Sequence, residues 1–527
     1  MAGGSVRLSR RGMLRGAGVG AVVGVLATQR LPVAWAAAAG AAGVFTLGVA
    51  SGDPLPDGVV LWTRLAPDPL HGGGMPQRAV PVEWELAADE GFGRVLHRGV
   101  EQARPELGHS VHIEVEGLEP AAWYWYRFRA QGEESRVGRT RTAPAPDSSP
   151  ERLRFAFASC QNYPSGFYAA YRAMAGDDLD LVIHLGDYIY EGAPEPESLR
   201  PHEGDGEPLT LVDYRDRHAQ YKTDPHLQDA HAAFPFAVTW DDHEVDNNWA
   251  DEIPQDPAEQ SPAQFRRRRI AAFQAYYEHM PLRRESVPQG LDLRLYRRFA
   301  FGDLATFSVL DGRQYRSDQP CGDGFPGEPD CPERQDPSLT MLGDEQERWL
   351  LDGLAGSRSR WNVLANQDII AQYDYDPSEG RAFNTDQWDG YPVQRARLLD
   401  LLATGQVPNP VVITGDWHSS WVNELRVDFD DPGSPIVGTE FAGTSISSAC
   451  PWAGDVEAAL GVNPHVRFFD GDRRGYVRCE LTPQLWRTDF RLLPTSTIPE
   501  VTVSDPNIEV ERTVTWVIPS DGTIQPG

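Results

Sequence analysis

The stretch LDLVIHLGDYIYEG, from Leu179 to Gly192, constrains the fold more than any other part of the chain. Leu181, Val182, Ile183 and Leu185 form a short apolar, partly β-branched run of the kind buried on both faces of a sheet. The glycine that follows, Gly186, lets the backbone turn sharply and leaves Asp187 at the strand tip, with Tyr190 just beyond. Ligands of open α/β sheets bind at the carboxyl ends of the strands, so the segment predicts two oxygen donors at a ligand site. Taken alone, it fits a capping aspartate and a tyrosine on the sheet rim equally well.

The pattern recurs along the chain. RFAFASC ends in Cys160, FPFAVTWDDHE in Asp241, Asp242 and His243, and ATFSVLDGR in Asp311 and Arg313. WNVLAN ends in Asn366, and PVVITGDWH in Asp416 and His418. Such runs alternate with helical patterns, which predicts an α/β catalytic domain over residues 151–527, layered around sheets and flanked by helices. Residues 43–145 read differently: VVLWTRL, VPVEWELA, SVHIEVEGL and AWYWYRFRAQ alternate with strand period between turn clusters. A small all-β sandwich of fibronectin or immunoglobulin type is expected there, tied to the rest by TAPAPDSSPE. Its aromatics, such as Trp123, Tyr124 and Trp125, are read as core and inter-domain contacts.

Convergence of so many polar side chains on strand ends is hard to explain as packing. Cys160 thiolate, Tyr190 phenolate and His418 imidazole suit a transition metal, and iron is the natural match for a phenolate. Asp241, Asp242, Asn366 and Asp416 offer hard oxygens suited to calcium or another hard dication, and Asp187 is placed to bridge the two groups. A mixed, multinuclear centre of this kind favours phosphoryl displacement by a metal-activated oxygen. Arg313 either clamps non-bridging phosphate oxygens or pairs with Asp311 or another carboxylate. His243 is placed to protonate the leaving group or hold the substrate. The bland alternatives are an inert buried thiol at Cys160 and an amide satisfying a loop backbone at Asn366.

A net charge of −29, with 77 acidic against 48 basic residues, argues against general affinity for nucleic acid or anionic membranes. The run Arg266 to Arg269 is accordingly read as a solvated helix face near acidic partners rather than a nucleic-acid patch. Residues 1–40 pair Arg10 and Arg11 with a short apolar segment and a small-residue site at Ala34 and Ala36. This pattern reads as a twin-arginine export signal in preference to an uncleaved membrane anchor. Cys321 and Cys331 in CGDGFPGEPDC are expected to close a disulfide, and Cys450 and Cys479 are candidates for another.

Cys160, the G-D-x-x-Y of Gly186 to Tyr190, the WDDHE of Trp240 to Glu244, the NVLANQ of Asn362 to Gln367 and the GDWH of Gly415 to His418 together resemble the PhoD family of alkaline phosphatases. That family is related to the metallophosphoesterases and is similar to the purple acid phosphatases in its G-D-x-x-Y element. The resemblance implies a metallophosphoesterase-like catalytic domain holding a ferric ion (Fe3+) with calcium ions (Ca2+), and hydrolysis of phosphate monoesters or diesters outside the cell. By position it implies Asp187 as the bridging ligand, Tyr190 and His418 as iron ligands, and Cys160 at the place of the first metallophosphoesterase aspartate. Asp242 takes the place of the asparagine in G-N-H-E, and which of Asp241 and Asp242 is the primary ligand stays open. The tail, from TPQLWRTDFRLLP onward, reads as strands and loop, so no C-terminal helix is expected to close the site.

The expectation is therefore an exported, monomeric phosphoric-ester hydrolase that meets the twin-arginine machinery and its phosphate-ester substrates, without a membrane span. A phosphodiesterase or phospholipase D-like enzyme acting on wall polymers or phospholipid headgroups, a non-hydrolytic metal and phosphate binding protein, and an iron redox protein are the alternatives.

Overall fold

The computed structural model describes residues 43–527 except 323, 379, 499 and 521, so the paired arginines Arg10 and Arg11 lie outside the described residues. Two sheets pack face to face. One has ten strands, the other seven, and at the centre of each the strands run parallel: Leu153–Ala158, Leu181–His184 and Pro235–Val238 in the first, Ala305–Val309, Trp361–Ala365 and Pro410–Thr414 in the second. These six are the apolar runs singled out in the sequence.

Strand alternation builds the layers. Phe155, Phe157, Leu181 and Ile183 point inward to meet Phe307, Val363, Val411 and Ile413 of the opposite sheet in one buried core. Each fully buried aliphatic or aromatic side chain contributes about 2 kcal/mol relative to exposure. Ala156, Ala158, Val182, Phe236 and Val238 point outward and are covered by the helices Ala169–Ala175, Leu211–Lys222, Pro225–Ala233 and Pro262–His279. The far face of the second sheet carries Leu364 and Val412 under Gly343–Ala355, Pro392–Ala403 and Ala453–Ala459. Because both faces of every central strand are covered, the strands read as unbroken apolar runs.

The N-terminal sandwich is present but shares a sheet with the core. Val49–Leu55 runs parallel to Pro235–Val238, with Ser51 opposite Pro235 and Gly52 opposite Phe236. It brings Gly58–Arg64 and Ser110–Glu116 with it as the last strands of the ten-stranded sheet. The facing sheet is built on Val80–Ala87, Val95–Ala103 and Trp123–Ala130. Tyr124 lies in the sandwich core, while Trp123 packs against the helix layer of the catalytic part.

The tail is β-structure, as expected: Leu485–Leu492 and Arg512–Pro519 extend the large sheet at its other edge. Two expectations need correction. Cys321 and Cys331 are bonded, but Cys450 and Cys479 are not. Cys479 faces the inter-sheet core, with its sulfur 3.8 Å from Thr488 Oγ1, whereas the Cys450 sulfur lies 3.8 Å from the Trp417 carbonyl in another cluster. The run Arg266 to Arg269 is only half solvated, because Arg268 and Arg269 are buried. Arg268 is matched by Asp246 at 3.0 Å and by the Tyr214 hydroxyl at 2.9 Å, partners that arrive from distant segments.

Candidate metal centre

All six central strands end at one mouth, and the backbone there is bent to aim side chains into it. Cys160, Asp187, Asp416 and His418 have φ of 57°, 57°, 53° and 54°, in the left-handed region that few non-glycine residues occupy. Such residues cost on the order of 1 kcal/mol each and cluster where function requires them. Gly186, at φ 113°, lets the chain pass close to the neighbouring strand end: a Cβ there would lie 2.5 Å from the Asp241 Cβ.

The side chains so delivered meet. Ligand atoms of Cys160, Asp187 and His418 lie within 4.8 Å of one another, as do those of Asp187, Asp241, Asp242 and Asp416 and those of Asp187, Asp242 and His243. Tyr190 Oη donates to Asp187 Oδ2 at 2.9 Å and lies 3.0 Å from His418 Nε2. The centre thus has a sulfur, phenol and imidazole end and a carboxylate end, with Asp187 common to both.

Several donors have nothing to bind. Asp187 Oδ1, Asp241 Oδ2 and Asn366 Oδ1 are buried without a hydrogen-bond partner, whereas unmet buried oxygens are rare in folded proteins. Asn366 uses its amide nitrogen on the Asp368 carbonyl, which leaves the oxygen facing the other way. Asp242, in contrast, accepts backbone hydrogens from Asn248 at 2.7 Å and His243 at 3.0 Å. Burial, then the neighbouring carboxylates Asp242, Glu244 and Asp416, drives the Asp187 pKa well above the carboxylate range, against the opposing pull of His243. Burial likewise raises Asp241, with Arg313 opposing. Positive charge is what this set of oxygens lacks, and the donors fit hard and soft cations at opposite ends.

His243 and Arg313 differ in placement. His243 Nδ1 lies 2.7 Å from Glu191 Oε2, and its ring lies 4.0 Å from that of Tyr190. Arg313 is fully buried: Nε donates to Asp241 Oδ1 at 2.5 Å, and the terminal nitrogens donate to Asp386 at 2.9 and 3.0 Å and Asp368 at 3.3 Å. Of the two uses open to it in the sequence, its contacts are those of a carboxylate partner.

Four acidic residues were not among the predicted site residues. Asp368, Asp386 and Asp416 form a further group with ligand atoms within 4.8 Å, and Asp368 Oδ2 has no partner. Burial, then Asp386 and Asp416, pushes the Asp368 pKa to about 8 against Arg313 and Arg316. Glu244 staples two strand ends: Oε2 accepts from the Asp241 and Asp187 amides at 2.9 and 3.2 Å, and Oε1 from the Tyr188 amide at 2.6 Å. Glu191 holds His243. Asp368 follows NVLANQ directly, Glu191 follows Tyr190, and Glu244 is the last residue of WDDHE itself, so position in or beside the motifs was the available signal. Asp386 stands in FNTDQWDG, three residues past the two-residue strand Ala382–Phe383, with no apolar run before it, and had none.

Residues 155–490 match the PhoD-like phosphatase family, and residues 32–144 match the N-terminal domain of PhoD-like phosphatases. The chain is 52% identical over 468 residues to alkaline phosphatase D of Bacillus subtilis (strain 168), covering 87% of this chain and 79% of that one. It is similar to a solved structure of PhoD with a TM-score of 0.86 and 49% identity over 92% of each chain. A purple acid phosphatase from yellow lupin (Lupinus luteus) seeds shares the fold at a TM-score of 0.52 and 13% identity, over 84% of this chain and 71% of that one.

Proposed function

Because the chain belongs to the PhoD-like phosphatase family and is a phosphoric-ester hydrolase, we propose that its strand-end centre is a mixed site for Fe3+ and Ca2+. Cys160, Tyr190 and His418 would hold the ferric ion, Asp187 would bridge, and Asp241, Asp242, Asn366 and Asp416 would hold calcium, with Asp368 added to that end. The observation that carries this reading is the set of buried, unpartnered oxygens on Asp187, Asp241, Asn366 and Asp368, next to a thiol, a phenol and an imidazole. When bound, such cations neutralise charge on the phosphoryl oxygens and make a water a better nucleophile.

The chain's own residues do the rest. Glu191 holds the His243 ring by Nδ1, so Nε2 is the nitrogen that delivers a proton to the leaving oxygen or donates to the phosphate. Arg313 fixes Asp241 and balances the charge of Asp368 and Asp386 from behind, and acts as a positioning residue rather than a clamp. Glu244 keeps the Asp187 and Asp241 loops in register.

The same reading has the chain exported in folded form by the twin-arginine machinery, its leader at residues 1–40, and working as a monomer with domains at 43–145 and 151–527. Among the described residues, no helix is long and apolar enough to cross a membrane. The test is Cys160→Ser: iron content and turnover of a phosphate ester should fall together. A fully active, iron-replete variant would remove Cys160 from the centre.

A further inference from the structure

Of the ten site residues predicted from sequence, His418 alone is not buried, so the centre opens to solvent on its side. Aromatic rings pack beside His418, and among them Trp417 and Trp452 are buried. The Trp452 ring lies 5.2 Å from the His418 imidazole and 5.2 Å from the Trp417 ring, and Phe325 packs at 4.7 Å against Trp452 and 5.5 Å against Trp417. Phe325 is half-buried and arrives on the loop closed by Cys321–Cys331.

That loop is also tied to the floor of the site. Gln319 Nε2 donates to Asp386 Oδ1 at 2.7 Å and to the Asn248 carbonyl at 2.8 Å, and Thr385 Oγ1 donates to the Gly322 carbonyl at 2.8 Å. One end of the loop therefore touches the acidic cluster and the other carries a ring to the open side. A phosphoryl group is small, charged and tetrahedral and gains nothing from aromatic rings. A flat, apolar organic group stacks on them favourably.

We propose that Phe325 and Trp452, positioned by the disulfide-closed loop, form the wall that receives the leaving-group end of the ester and favours leaving groups with a flat apolar face. The inference rests on the hydrolase reading above. The test compares phenyl phosphate with methyl phosphate on the metal-loaded full chain. Phe325→Ala should lower the ratio of kcat/KM for phenyl over methyl phosphate about three- to tenfold, the worth of one aromatic contact. Phe325→Tyr should restore the ratio, and replacing both Cys321 and Cys331 by Ser should lower it in the same direction. An unchanged ratio in Phe325→Ala and in the double serine variant would overturn the wall while leaving the hydrolase reading intact. Failure of the unmodified, metal-loaded protein to turn over either ester would overturn both.

Discussion

Glu191 Oε2 and His243 Nδ1 lie 2.7 Å apart, with the two side chains 7% and 9% exposed, so the imidazole has a buried carboxylate behind it. Burial alone would lower the His243 pKa, but Glu191, then Asp242 and Asp187, outweigh it and hold the ring protonated well above the usual histidine range. Glu191→Gln removes the leading attraction. The ring then loses its proton at lower pH, so the alkaline limb of kcat/KM should move to lower pH and kcat should fall about ten- to a hundredfold. A pH–rate profile with an unmoved limb would take Glu191 out of the mechanism.

Gly186→Ala should disable the centre without unfolding the sheets. The new Cβ would sit 2.5 Å from the Asp241 Cβ and 2.6 Å from its amide nitrogen, at a φ of 113° that side chains rarely adopt. Backbone rather than a flexible side-chain tip is in the way, so the Asp187 and Asp241 loops must part. The expected outcome is loss of bound metal and of activity with far-ultraviolet circular dichroism retained; full metal content would contradict it.

Lys222 predicts how stability follows pH. Its ammonium lies 4.4 Å from the Trp62 ring centroid and is buried, which lowers its pKa from 10.5 to about 7. Between those values the unfolded chain keeps a proton that the folded chain has released. Stability therefore rises with pH across that window, by on the order of 5 kcal/mol in all, and is lost again as pH falls towards 7. Lys222→Met should be the more stable protein at pH 7 and should lose most of this slope. Denaturant midpoints at pH 7, 9 and 10.5 on both proteins measure it; parallel curves would mean that the lysine is not the source.

The six site strands and their terminal residues were legible because each is an apolar run buried on both faces and broken by a polar side chain. What escaped depended on contacts between distant segments. The pairing of Ser51 with Pro235, which merges the sandwich with the catalytic sheet, leaves no local trace. Arg268 has the acidic partner expected of it, but it is buried because Asp246 and Tyr214 fold over it, and a charge run in a sequence does not reveal which of its members will be covered. Cys450 and Cys479 fall into different packing clusters, a separation that spacing does not encode. Asp386 comes from a loop with no periodicity of its own, and only the fold brings it to Arg313 at 2.9 Å.

The central claim is the mixed centre, and the most direct measurement is elemental analysis of the folded protein for iron and calcium, with phosphatase activity assayed on the same sample. The account predicts iron together with calcium in the active protein, the iron falling in Cys160→Ser. Zinc or manganese in place of iron, in a protein that is fully active, would contradict it and mean that Cys160 and Tyr190 serve another purpose.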